Sequence, residues 1–392
     1  MRRAMASGTR TGAPLPDRVP VMCQLALGHY FLQSGLSPFE VWFTSAGFAE
    51  AMIRLAERYR FDGILVNLPG RDPGLGGLIA AVERGAGEDL IRWKGGGYSV
   101  LPHDDNVHYF LDDGSRFFPR FEEVDPDSLF YVEPWDLTDV TYPFTWGFER
   151  EPRPFSDYFP DYHFDTLKEV VARAGGRLSI HSEIFSPFSQ FLELLNYEQG
   201  LLALIDDPAK VHACLERLTA GAVDLASRHA ACAVDAVLIS SAFAGAGLIS
   251  RDHYREFVEP YERKVIAELA RRQPALPVYT HTCGSIGDRL DLMLSTGTQG
   301  VDTLDPPPLG TVELAEAKRT LAGRAFIKGN IDPVNTILRG DAETVRADAR
   351  RRLEAGMPGG GYILSTACSV APAAPPQNLV VLAEAAEVHG RY

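Results

Sequence analysis

Three side chains in this sequence have the chemistry of a soft metal site: His281 and Cys283, both in YTHTC, and Cys368 in YILSTAC. Imidazole nitrogen and thiolate sulfur are favoured zinc donors, and three protein ligands leave one position of a tetrahedral ion open to a substrate. In an extended segment residues 281 and 283 project to the same side. Cys368 lies 85 residues beyond Cys283, far too distant for a finger or ribbon, so only the fold can bring it in.

The elements around these residues supply such a fold. Short apolar, β-rich runs that end in polar residues recur eight times, at 19–25, 61–67, 177–183, 235–241, 277–283, 300–306, 324–330 and 361–368. Helical periodicity fills most of the intervals, as in 45–60, 207–230, 250–272 and 341–356. Strand–helix alternation predicts parallel strands with crossover helices, and eight repeats fit a single (β/α)₈ TIM barrel, an α/β fold. A doubly wound sheet is the competing architecture, but NLPGRDPGLGG after residue 66 matches no phosphate-binding fingerprint.

A barrel gathers its chemistry at the C-terminal ends of the strands. In order these ends carry Asn67, then His181 and Glu183, Ser240 and Ser241, His281 and Cys283, Asp302 and Asp305, Asn330 and Asp332, and Cys368. Asp, Asn and Ser at such places also serve as plain turn and cap residues. Both distant cysteines now reach one rim, which makes zinc the expected metal. Glu183 or His181 is the nearest candidate for a fourth ligand. Cys23, Cys214 and Cys232 fall within a strand or helix and are expected to be core thiols.

The chain has 392 residues, 45% hydrophobic and 23% charged, which suits a large soluble core. Its 38 basic and 52 acidic residues give a net charge of −14, which excludes an electrostatic footprint for nucleic acid or an anionic membrane. No apolar run is long enough to span a membrane, and MRRAMASGTRTGAPLPDR has no apolar core of a signal peptide. The expectation is a cytoplasmic protein with a flexible tail over 1–18 and a barrel over 19–392.

One interval, 68–176, is much longer than the others and forms an insertion after the second strand. Within it, DLIRWKGGGYSVLP and NVHYFLDDGSRFFPRF predict a twisted hairpin with DDG as a turn between aromatic-rich strands. The stretch 129–165 holds twelve aromatics, Trp135 and Trp146 among them. These rings are expected either to pack a lid or to wall a substrate pocket.

From about residue 20, and most strongly after 197, the sequence resembles the uroporphyrinogen decarboxylase superfamily. The resemblance is carried by ISRDHYREFVEPYERKVI, YTHTCGSIGDRLDLMLSTGTQGVDTLD, AFIKGNIDPVNTILRGDAETVRADARRRLEAG and GYILSTAC. It implies the same barrel. The superfamily's decarboxylases carry an Arg-Gln-Ala-Gly-Arg-Tyr run in the first strand loop and a catalytic Asp after the second strand. Here Leu25-Ala26-Leu27-Gly28-His29-Tyr30 and Val66-Asn67-Leu68 stand instead. Its zinc methyltransferases, by contrast, carry His-x-Cys and a distant Cys, as His281, Cys283 and Cys368 do.

The resemblance therefore implies a zinc-dependent methyltransferase. It would work with a corrinoid (cobalamin), borne by a corrinoid-binding protein, and with a small-molecule methyl donor or acceptor. Aromatic richness favours a methoxylated aromatic donor and O-demethylation. A methylcorrinoid:thiol methyltransferase is the alternative, followed by a decarboxylase-like enzyme or a non-catalytic ligand-binding barrel. Glu183, Asn67 and Asp302 are the candidate catalytic residues, and His29, Tyr30, His181, Trp135 and Trp146 the candidate substrate contacts. The family commonly forms dimers, so a homodimer is the suggested assembly.

Overall fold

The computed structural model describes residues 1–114, 120–129 and 159–392. Seven parallel strands follow one another around a curled sheet: β1 (Gly63–Val66), β6 (Ser179–Phe185), β7 (Ala236–Ser240), β8 (Val278–Thr282), β9 (Gly300–Thr303), β10 (Phe326–Ile331) and β11 (Tyr362–Thr366). Between β1 and β6 an insertion folds as a separate antiparallel sheet, β2 (Ile79–Arg84), β3 (Glu88–Trp93), β4 (Tyr98–Pro102) and β5 (His108–Phe110).

The expected first strand, 19–25, closes the barrel without forming a regular ladder. Met22 N–H donates to Leu364 O (3.1 Å) and Leu364 N–H to Pro20 O (2.9 Å), while Asp62 N–H donates to Val21 O (2.8 Å) on the β1 side. The ladder is irregular for two reasons. Pro20 has no N–H to give, and the Val21 N–H goes to the Asp62 carboxylate at 2.7 Å, which Arg18 also grips with its two terminal guanidinium nitrogens.

Side-chain alternation divides the barrel into two apolar regions. Ile180, Val237, Val278, Val301, Ile327 and Leu364 point outward into the layer under the helices. Met22, Leu65, Ala236, Leu238, Tyr279, Phe326 and Ile363 form the lower interior, completed by Ala4 and Met5. The flexible tail expected over 1–18 is thus corrected, since α1 (Arg2–Thr9) stops the lower mouth. Its closeness depends on glycine, for a Cβ at Gly8 would stand 2.5 Å from the Phe326 Cα. Four buried positions, Ala4, Met5, Ser7 and Gly8, anchor the segment, although they are too small and few to show as an apolar run.

The insertion carries more strands than the expected hairpin. Its strand reversals lie at 85–87, 94–97 and 103–107; DDG at 112–114 follows β5, and residues 115–119, the start of the other arm of the expected turn, lie outside the described residues. The sheet docks on α2 (Leu27–Gln33) and α3 (Pro38–Phe43): Trp93 meets Phe43 edge-on at 5.9 Å, and Arg84 lies over Phe39. A Cβ at Gly28 would strike Asp104 O at 2.0 Å, so the loop 103–106 rests against the helix backbone.

Candidate metal centre

The upper interior of the barrel is polar, and β8 supplies its centre. Below, Tyr279 faces inward; one step up is His281, and beyond the strand end is Cys283. His281 Nε2 is 3.1 Å from Cys283 Sγ, and Cys283 Sγ is 3.6 Å from Cys368 Sγ, brought in by the loop after β11. The three donor atoms all lie within 4.8 Å of one another. Tetrahedral bonds of about 2.3 Å to sulfur place two thiolates roughly 3.7 Å apart, so the sulfur spacing fits a zinc ion.

Electrostatics favours the same occupant. Burial opposes protonation of His281, yet its hydrogen bond to Asp302 and the facing Cys368 sulfur push it up to about 10. The Cys283 thiol donates to Cys368, holding Cys368 well below the usual thiol range and raising Cys283 well above it. Imidazolium, thiol and thiolate crowded this closely form a donor set that exchanges its protons for a divalent cation.

Behind His281 runs a row of cross-strand neighbours. Asp302 on β9 pairs in register with His281 on one side and Lys328 on the other. Its Oδ2 accepts from His281 Nδ1 at 3.2 Å, and Lys328 Nζ donates to both carboxylate oxygens at 3.0 Å. A carboxylate only accepts, so Nδ1 of His281 keeps its proton, and Nε2, which faces the cysteines, is the nitrogen that would give up its proton to a bound cation. Asp302 was expected among the catalytic groups. With both oxygens engaged and its acidity increased by Lys328 and His281 against the pull of burial, it braces the His281 ring and is not a free base.

Glu183 fits a proton-handling role better. It faces inward from β6, 3.4 Å from Gln24 Nε2, and burial pushes its carboxyl up to about 7. Asn67 shares with it a chamber of about 10 Å³ lined also by Val66, Leu68, Pro69, His163, Leu167 and His229. Asp305 lies beyond β9, where Thr303 and Leu304 take φ values of +85° and +55° and turn the chain aside. Its carboxylate accepts from Gly284 N–H at 2.6 Å and so braces the turn after Cys283. Ser241 hydrogen-bonds the buried Glu262, Asn330 Nδ2 donates to Leu304 O, and Asp332 caps the turn at 333–338.

Three expected substrate contacts are corrected. His29 is fully buried: its Nδ1–H donates to Ala371 O and Pro372 O (3.2 and 3.0 Å), while Nε2 accepts from the Tyr59 hydroxyl at 2.8 Å. It fastens the loop that follows Cys368. Tyr30 packs edge-on against Phe48 in the core. His181 sits one layer too low, wedged between the Tyr279 hydroxyl and Ser179 Oγ, where burial lowers it to about 3. Trp135 and Trp146 lie outside the described residues. Of the same aromatic stretch, Phe159 and Phe164 pack against His163, and Phe164 also against His229. Cys23 and Cys214 are buried free thiols and Cys232 a partly buried one.

Lys328 and Gln24 were not singled out from sequence. Alternation puts Phe326, Lys328 and Asn330 on one face of a strand whose neighbours face the barrel, and a lysine at such a place is a detectable sign.

Comparison with known proteins gives the same ancestry. Residues 149–389 match the family model for uroporphyrinogen decarboxylase (URO-D). A uroporphyrinogen decarboxylase of Thioalkalivibrio sulfidiphilus is 31% identical over 188 residues, 47% of this chain and 50% of that protein. A methylcobamide:CoM methyltransferase of Methanosarcina barkeri is 24% identical over 221 residues, 56% of this chain and 61% of that one. The chain thus spans about half the length of the curated relatives it matches. A solved methyltransferase from Methanosarcina mazei superposes with a TM-score of 0.70 at 17% identity, covering 98% of this chain and 97% of that one, which supports the shared barrel. With more than half its length matched by one family model, the chain belongs to the uroporphyrinogen decarboxylase family.

Proposed function

We propose that this protein is a zinc-dependent methyltransferase that moves a methyl group between a corrinoid, carried by a corrinoid-binding protein, and a small molecule. The observation that carries this reading is the convergence of His281, Cys283 and Cys368 within 4.8 Å at the upper end of the barrel. Its likeness to a methylcobamide:CoM methyltransferase agrees with it. The decarboxylase reading finds less support in the residues: Asn67 stands where that activity calls for an acid, and His29 and Tyr30 are tied into the core.

A zinc ion held by the three ligands would supply a Lewis acid, raising the acidity of a thiol or alcohol and stabilising the charge left when a methyl group departs. The chain's own groups do the rest. Asp302 and Thr303 fix the His281 ring. Glu183, poised to about 7 by burial, takes the proton from an acceptor thiol, or returns one to a demethylated oxygen. Gln24 at 3.4 Å orients that carboxyl.

A methoxylated aromatic is our first choice of donor, resting on the ring-rich stretch around Trp135 and Trp146; the buried packing of Phe159 and Phe164 lends it no help. The deciding experiment combines metal analysis with two assays, Co(I) cobalamin with methoxylated aromatics, and methylcobalamin with thiols. Zinc near one per chain and methyl transfer in either assay are expected. A zinc-loaded protein inert in both, with the corrinoid protein supplied, would sink the proposal.

A further inference from the structure

We propose that Lys328 is a positioning residue for the metal centre, acting through Asp302 to hold the His281 ring in its ligating orientation. The inference rests on the zinc reading above and deepens it. His281, Asp302 and Lys328 occupy one level of three adjacent strands, β8, β9 and β10, and are paired in register. The ladder itself therefore aligns them. Lys328 and Asp302 have side chains only 1% and 2% exposed, with Nζ 3.0 Å from each carboxylate oxygen.

Stability gives no good reason for such a pair. Taking a lysine and an aspartate out of water costs several kcal/mol each, and apolar replacements of buried ion pairs are often neutral or stabilising. Geometry gives a better one. An aspartate held only by His281 at Oδ2 and the Thr303 N–H at Oδ1 could still swing about its terminal torsion, which is broad for Asp. Lys328 engages both oxygens, and Thr303 N–H donates to Oδ1 at 2.9 Å. The carboxylate plane is then fixed, Oδ2 stays opposite Nδ1, and Nε2 is aimed at the sulfurs. Partners behind a metal-binding histidine commonly affect metal affinity ten- to a hundredfold.

The test is zinc affinity by chelator competition on folded protein, together with the visible spectrum of the Co(II)-substituted form. Lys328→Met should weaken zinc by about ten- to a hundredfold and alter the cobalt ligand-field bands. Removing one partner leaves an uncompensated buried charge and could unfold the chain, so the charge-neutral double variant Lys328→Met/Asp302→Asn is measured beside it. If the lysine orients through the aspartate, the double variant stays weak, with affinity and spectrum close to those of the single. If the lysine only neutralises the aspartate, the double variant regains wild-type affinity, and the proposal is overturned. Tight zinc binding by wild type and Lys328→Met alike overturns this proposal alone, whereas wild type that takes up neither metal overturns the zinc reading with it.

Discussion

Cys283 and Cys368 bring their sulfurs to 3.6 Å across 85 residues of intervening chain. Each arrives from the end of a different strand, β8 and β11, and two strands lie between them in the sheet. The candidate metal site is therefore a property of the closed barrel and exists only when the upper rim is assembled. Metal binding and folding should be coupled accordingly.

The first expectation follows from that coupling. Purified protein should hold about one zinc per chain, and Cys368→Ala should release it, as read by elemental analysis after dialysis. Full zinc occupancy in Cys283→Ala/Cys368→Ala would show that the ligands are elsewhere.

A second expectation concerns the family's other chemistry. The protein should form no coproporphyrinogen from uroporphyrinogen, because Asn67 is uncharged and no arginine occurs between Leu25 and Tyr30. Product in that assay, at rates above a heat-killed control, would refute the reasoning.

The third is a pH effect on stability. Burial raises Glu262 to about 7 while Ser241 and Tyr254 donate to its oxygens. A carboxyl with a folded value above its unfolded one favours folding while protonated, so its contribution falls as pH rises from about 4.5 to 7. Glu262→Gln keeps the shape without the titration. Relative to wild type it should gain stability across that window, by about 1.4 kcal/mol per pH unit at most. Buried His163 and His229, lowered to about 3 and 4, act in the opposite sense below pH 6.5 in both proteins and cancel in the difference. Urea unfolding at a series of pH values checks this; parallel curves for the two proteins would contradict it.

The fourth addresses α1. Met5 is 2% exposed and packs in the lower interior with Tyr279 and Phe326. Met5→Ala should cost about 2–5 kcal/mol of unfolding free energy, the usual range for emptying a buried methionine site. A loss below about 0.5 kcal/mol, the scale of a surface change, would mean the segment frays in solution.

Much of the site could be read from period alone. Two-residue alternation put His281 and Cys283 on one side, and the recurrence of strand and helix put Cys368 on the same rim. Partnership is what period cannot give. Alternation directs Asp302 inward, but whether it is free or bound depends on Lys328, which stands on the next strand 26 residues later. His29 misled for a similar reason: its place in the first loop suggested substrate, while the Tyr59 hydroxyl and the carbonyls of Ala371 and Pro372, all remote in sequence, satisfy both its nitrogens. Helix α1 was hidden because a plug built from Ala4, Met5, Ser7 and Gly8 has no amphipathic stripe long enough to register.

That plug has a kinetic meaning. With Ala4 and Met5 filling the floor, the described residues close the lower mouth, and a small molecule bound for Glu183 or the cysteines would come by the neck at the upper rim. A bulky methyl carrier seated on the neck would cork it. Under the proposed methyl transfer the small molecule would enter before the carrier docks and leave after it departs, so initial-rate patterns should show ordered addition with the small molecule first, and excess carrier should inhibit by closing the neck over an empty site.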